Sequence, residues 1–78
     1  MNAPDVKEEP ERKLLAAAAR IFGVDAASLS LDSRYGDTPG WDSVNHIRLV
    51  MEAEEILGAH YPLPMIPRLT RLGDFLCN

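Results

Sequence analysis

Apolar residues in this chain fall into two helically periodic stretches separated by a long aperiodic one. From Glu11 onward, Leu14, Leu15, Ala18, Ala19 and Phe22 recur at the spacing of one helix face, and the pattern stops near Gly23. Pro10 suits the first turn of that helix, where its missing N–H costs little. The alanine run favours helix intrinsically, and its small side chains allow a neighbouring helix to approach closely. Residues 1–9 are polar and charged, contain Pro4, and read as a loose lead-in to a single domain over residues 10–78.

Residues 24–42 keep neither helical nor strand periodicity. They hold Ser28, Ser30, Asp32, Ser33, Gly36, Asp37, Thr38, Pro39 and Gly40, all turn formers. Leu29, Leu31 and Tyr35 are placed to tie such a loop to a core. A connection this long inside so short a chain is uncommon and usually functional.

Asp42 and Ser43 open a second helix that runs to about Leu57 and is stopped by Gly58. Leu49, Val50, Ala53, Ile56 and Leu57 form one broad apolar face, with Asn45, Arg48, Glu52 and Glu55 as a polar stripe across from it. Val44, Ile47 and Met51 make a second, smaller apolar set that begins beside Ser43. Packing requires only one apolar face, so the second set is a candidate contact surface. Arg48 and Glu52 are spaced for an i,i+4 ion pair.

Pro62, Pro64 and Pro67 exclude a long helix after Tyr61 and allow one short turn between Pro64 and Leu69. Thr70 is placed to cap a last helix carrying Leu72, Phe75 and Leu76. The expected fold is all-α: a small antiparallel bundle of three main helices and one short helical or 3-10 element, with a long loop between the first two helices. Its expected core is Leu14, Leu15, Ala18, Phe22, Leu31, Leu49, Val50, Ala53, Leu57, Leu72, Phe75 and Leu76.

Composition narrows the function further. A chain of 78 residues is one domain, and at that size only roughly 60% of the unfolded surface is buried, which argues against a large internal active site. Twelve acidic against eight basic residues, a net charge of −4, suit a positively charged protein surface better than nucleic acid. One cysteine, Cys77, excludes an internal disulfide, and one Cys with two separated His does not assemble a metal site. With no signal peptide and no long apolar run, a cytoplasmic location is expected, without membrane insertion.

Individual residues carry competing readings. Ser43 and Asp42 are each suited to cap the second helix. His46 follows Ser43 by three residues, but a Ser-His nucleophile also needs an orienting acid and an oxyanion hole, and a bundle this small has no pocket for them. The ring is expected at the helix edge beneath the long loop. Trp41 is expected to anchor that loop, with its indole N–H bonded to backbone. Cys77 reads as an incidental exposed thiol near the end of the chain.

The run Gly40-Trp41-Asp42-Ser43-Val44 at the start of an amphipathic helix resembles the attachment motif of acyl carrier proteins, usually Asp-Ser-Leu. The similarity extends to Phe22-Gly23-Val24, to Leu31-Asp32-Ser33-Arg34-Tyr35, to Leu49-Val50-Met51 and to Glu54-Glu55, and so spans roughly Leu14 to Leu76. The resemblance implies a non-catalytic, monomeric thioester carrier, a phosphoprotein of fatty acid or polyketide biosynthesis. Its cofactor would be 4'-phosphopantetheine, moved from coenzyme A onto the Ser43 hydroxyl by a phosphopantetheinyl transferase, with Asp42 supporting the transfer. It further implies docking through Val44, Ile47, Arg48, Met51, Glu52 and Glu55, with Glu54 left open. The implied partners are an acyl-loading ligase or acyltransferase and a ketosynthase or other acyl-processing enzyme.

The chain also departs from that pattern. Val44 stands for the usual leucine, Asn45 and Arg48 stand where carriers of primary fatty acid synthesis tend to have acids, and the stretch from Pro62 to Pro67 is less acidic than theirs and is followed by Arg68 and Arg71. These departures imply a specialised pathway with dedicated partners. An aminoacyl or peptidyl carrier of nonribosomal peptide assembly shares the fold and the arm, but commonly shows Gly-Gly-x-Ser-Leu. An unmodified helical interaction module is the other alternative; it would be expected to lack Asp42 or Ser43.

Overall fold

In the computed structural model, residues 8–76 are described. The periodic stretches form two α-helices, α1 over Glu8–Phe22 and α2 over Ser43–Leu57, joined and followed by three 3-10 segments over Ala26–Ser28, Leu63–Arg68 and Leu72–Phe75. Among the described residues there is no strand, only one isolated antiparallel bridge between Arg34 and Arg71. The fold is all-α, as the pattern predicts. Residues 1–7 and Cys77, with the readings placed on them, lie outside the described residues.

Helix α1 starts two residues before Pro10, because a proline in the first turn removes only an N–H that has no intrahelical acceptor. The helix buries Leu14, Ala17, Ala18, Ala19 and Phe22. Helix α2 buries His46, Leu49, Val50 and Ala53, at i, i+3, i+4 and i+7. The pair is antiparallel. Phe22 at the end of α1 stacks on Trp41 just ahead of α2, while Pro10 and Glu11 share a groove with Leu57 and Gly58 at the opposite end. Gly58 closes α2 in the left-handed conformation, φ 65°, where a side chain would be strained.

The long loop is ordered by its contacts. It contains one 3-10 turn, Ala26–Ser28, and buries Leu29. Its far half is stitched to the end of the chain: the Tyr35 N–H donates to the Thr70 carbonyl at 2.8 Å, Leu72 N–H to Ser33 at 3.1 Å and Gly73 N–H to Leu31 at 2.9 Å. Gly40 then brings the loop hard against α1. Its φ is 84°, and a Cβ there would overlap the Phe22 carbonyl.

The segment expected as a last helix is a single 3-10 turn, Leu72–Phe75. Its first two N–H groups, of Leu72 and Gly73, point back to the loop, while those of Asp74 and Leu76 reach Arg71 and Gly73 at i−3 spacing, each at 3.0 Å. The predicted Thr70 cap is replaced by Asp74, whose Oδ2 accepts from the N–H groups of Thr70 (3.1 Å) and Arg71 (3.0 Å). Leu15, Leu31, Leu57 and Leu76, expected in the core, are only half-buried around it. Tyr61 and Leu69, not anticipated there, are buried. Tyr61 earns its place through its hydroxyl, which donates to the Phe75 carbonyl at 2.6 Å.

Candidate functional site

Asp42 and Ser43 divide the start of α2 between them. Asp42 is extended (φ −113°, ψ −174°) and is the N-cap; its Oδ1 accepts from the Asn45 N–H at 2.8 Å. Asn45 in turn donates from Nδ2 to the Gly40 carbonyl at 2.7 Å, which fixes the turn leading into the helix. Ser43 is therefore the first helical residue and not the cap. Its side chain is exposed, and among the described residues its hydroxyl makes no hydrogen bond. The first intrahelical N–H to be used is that of His46, to the Asp42 carbonyl at 2.8 Å, so the N–H groups of Ser43 and Val44 point out of the helix unpaired. Such an end favours a phosphate on the adjacent side chain.

Beneath Ser43 lies an aromatic platform. The Trp41 indole N–H donates to His46 Nδ1 at 3.0 Å, and His46 Nε2 lies 2.9 Å from the Ile66 carbonyl. An indole N–H only donates and a carbonyl only accepts, so the imidazole carries its proton on Nε2. The indole N–H, expected on a backbone acceptor, is thus taken by His46 instead: the two rings are tilted by only 22° with centroids 5.9 Å apart, so their nitrogen edges meet nearly in plane. Both imidazole nitrogens are engaged, which leaves none to take a proton from Ser43. Phe22 stacks on a face of Trp41 at 5.2 Å, and Tyr35 of the loop stands edge-on to Trp41 at 5.9 Å and to His46 at 5.5 Å. His46 thus packs beneath the long loop, as expected from its position.

A cleft of about 340 Å³ opens beside Ser43, between Ile47 of α2, Tyr35 of the loop and Ile66 and Leu69 of the proline-rich segment. A larger apolar groove, about 880 Å³, lies at the other end of α2, where Pro10 faces Leu57 and Leu76. Its size does not make it the site: of these two spaces, the cleft is the one that Ser43 borders.

Val44, Ile47 and Met51 are 61%, 47% and 63% exposed, and face solvent roughly opposite the buried face of α2. Arg48 and Glu55 share this outward side, and neither makes an ion pair among the described residues. The expected Arg48–Glu52 pair does not form. Glu52 sits on the flank facing α1, where Arg20 Nη2 meets its Oε2 at 2.7 Å, so its carboxylate is taken up inside the molecule. Glu54 is also committed: its Oε2 accepts from the Tyr61 N–H at 3.0 Å and lies 3.6 Å from His60 Nδ1. Burial first, and the Glu54 charge second, push the Tyr61 phenol from 10.0 up to about 12.

Among the described residues no group of His, Cys, Asp and Glu is arranged to hold a metal, and no helix is long and apolar enough to cross a membrane. Comparison with protein-family models, with curated proteins and with solved structures found no match to this chain.

Proposed function

We propose that this chain is an acyl carrier protein, a non-catalytic thioester carrier with 4'-phosphopantetheine attached to Ser43. The observation that carries the reading is the placement of Ser43. It is the first residue of α2, exposed, with its hydroxyl unengaged, because Asp42 has taken over the capping role beside it.

The residues around Ser43 fit the arm. The unpaired N–H groups of Ser43 and Val44 favour the phosphate electrostatically, and the adjacent cleft offers room for the first part of the chain. When attached, the arm supplies a thiol that holds acyl groups as thioesters. The protein's own residues present the serine hydroxyl to an enzyme, hold its backbone rigid through the Trp41–His46–Ile66 relay, and offer a docking face. Tethering then raises the local concentration of cargo at each enzyme the carrier visits.

Within this reading the charges agree best with a dedicated pathway of fatty-acid, polyketide or lipid type, and the expected setting is the cytoplasm. Glu52 is neutralised by Arg20, and the outward face of α2 displays Arg48 where an acidic patch would be needed for general fatty-acid enzymes. The partners of this reading are a phosphopantetheinyl transferase, an acyl-loading ligase or acyltransferase, and a ketosynthase or comparable enzyme. Arm transfer from coenzyme A, read by intact mass, tests the carrier. Comparing its turnover by housekeeping fatty-acid enzymes with that of a housekeeping carrier tests the specialisation, and equal activity would contradict it.

A further inference from the structure

Helix α2 is apolar on both sides. Its inner side is covered by the core, and its outer side exposes Val44, Ile47 and Met51. On that outer side Arg48 and Glu55 flank Met51, and among the described residues neither has a charge partner. They are seven residues apart, two turns or about 10 Å along the axis.

This arrangement is self-complementary. A two-fold axis beside Met51 that pairs α2 with an antiparallel second α2 sets each Arg48 opposite the other copy's Glu55. Both pairs then lie on one flank, and the two Met51 side chains meet at the centre. A parallel pairing would set Arg48 against Arg48 and Glu55 against Glu55. A different protein would have to bring an acid and a base at this same separation; a second copy supplies both.

We propose that the outward face of α2 associates with a second copy of this chain in an antiparallel dimer centred on Met51. Three apolar side chains per copy make a contact at the small end of specific interfaces, below ~1,200 Å² in total, so the dimer is a transient one with a Kd on the order of hundreds of micromolar. The monomer expected from the sequence is its dilute form. Ser43 lies at the end of the same stripe, so any enzyme that addresses Ser43 competes with self-association. The proposal does not depend on the carrier reading and is tested on the unmodified chain.

Sedimentation equilibrium over a rising concentration series is expected to show the average mass climbing from one chain toward two. Arg48→Glu or Glu55→Arg alone places like charges at both symmetric contacts and is expected to weaken association roughly 5- to 10-fold. The double exchange R48E/E55R is expected to restore it, and Met51→Glu to abolish it. All three positions changed, Arg48, Met51 and Glu55, are exposed, and far-ultraviolet circular dichroism checks that each variant is folded. A mass that stays at one chain at the highest concentration overturns the proposal and leaves the stripe to a different protein surface. Single exchanges without effect, or a double exchange without recovery, also overturn it by placing the contact elsewhere.

Discussion

The Trp41 indole N–H and His46 Nδ1 meet at 3.0 Å across one turn of chain, and this bond joins the end of the long loop to the buried side of α2. Both residues are buried, Trp41 at 3% exposure. Neither polar atom has water as an alternative partner, so removing one strands the other.

Trp41→Phe leaves His46 Nδ1 buried without a donor, and His46→Leu leaves the indole N–H and the Ile66 carbonyl unpaired. Each is expected to cost about 1–3 kcal/mol. The double variant is expected to cost less than the two singles added, because it removes both halves of the bond. Urea unfolding of the four proteins of this cycle measures the coupling, and strict additivity would show that the bond contributes nothing.

At Asp42, two variants separate capping from chemistry. Asp42→Ala removes the acceptor for the Asn45 N–H and is expected to lower stability by about 1 kcal/mol. Asp42→Asn keeps an acceptor and is expected to fall within a few tenths of wild type. If the carboxylate also supports arm transfer, the Asn variant will be as stable as wild type yet modified more slowly. Equal rates would reduce Asp42 to a cap.

The pair Arg20–Glu52 bridges α1 and α2 at 2.7 Å but leaves Arg20 64% exposed. Solvent screening limits such a pair to under about 1 kcal/mol. Glu52→Gln is therefore expected to lower the thermal midpoint slightly at low salt, with the difference from wild type shrinking as salt is added. A loss well above 1 kcal/mol would mean that Glu52 does more than pair with Arg20.

Tyr61 makes stability depend on pH at the alkaline end. Its phenol is raised from 10.0 to about 12, so the folded protein keeps a proton that the unfolded chain has already released. The contribution is whole below pH 10 and is lost as pH rises toward 12. Wild type is expected to lose stability over that interval more steeply than Tyr61→Phe, which lacks the ionising group. Parallel curves for the two proteins would refute the assignment.

Both helices were legible in the sequence because each buries a face whose 3.6-residue period survives in the residue order. The cap was not. Asp42 and Ser43 are adjacent and equally suited to the role, and what decides between them is the extended backbone of Asp42 together with its side-chain bond to the Asn45 N–H. The outward apolar set of Val44, Ile47 and Met51 was readable as a surplus beyond what packing needs. The fate of Glu52 was not, since Arg20 stands 32 residues away and local spacing favoured Arg48. Tyr61 went unrecognised because it precedes three prolines, where no period marks an inward direction. The last segment misled for a different reason: Leu72, Phe75 and Leu76 have helical spacing, but the N–H groups of Leu72 and Gly73 go to the loop carbonyls of Ser33 and Leu31, and a 3-10 turn buries Leu72 and Phe75.

The central claim is that Ser43 carries a covalent arm. The most direct measurement is intact mass after incubation with coenzyme A, magnesium and a broad-specificity phosphopantetheinyl transferase, with Ser43→Ala in parallel; mass of the protein isolated from its native host guards against a transferase that fails to recognise it. One phosphopantetheine added to wild type and none to Ser43→Ala is the predicted result. An unmodified mass both in vitro and from the native host, or addition that persists in Ser43→Ala, would contradict it.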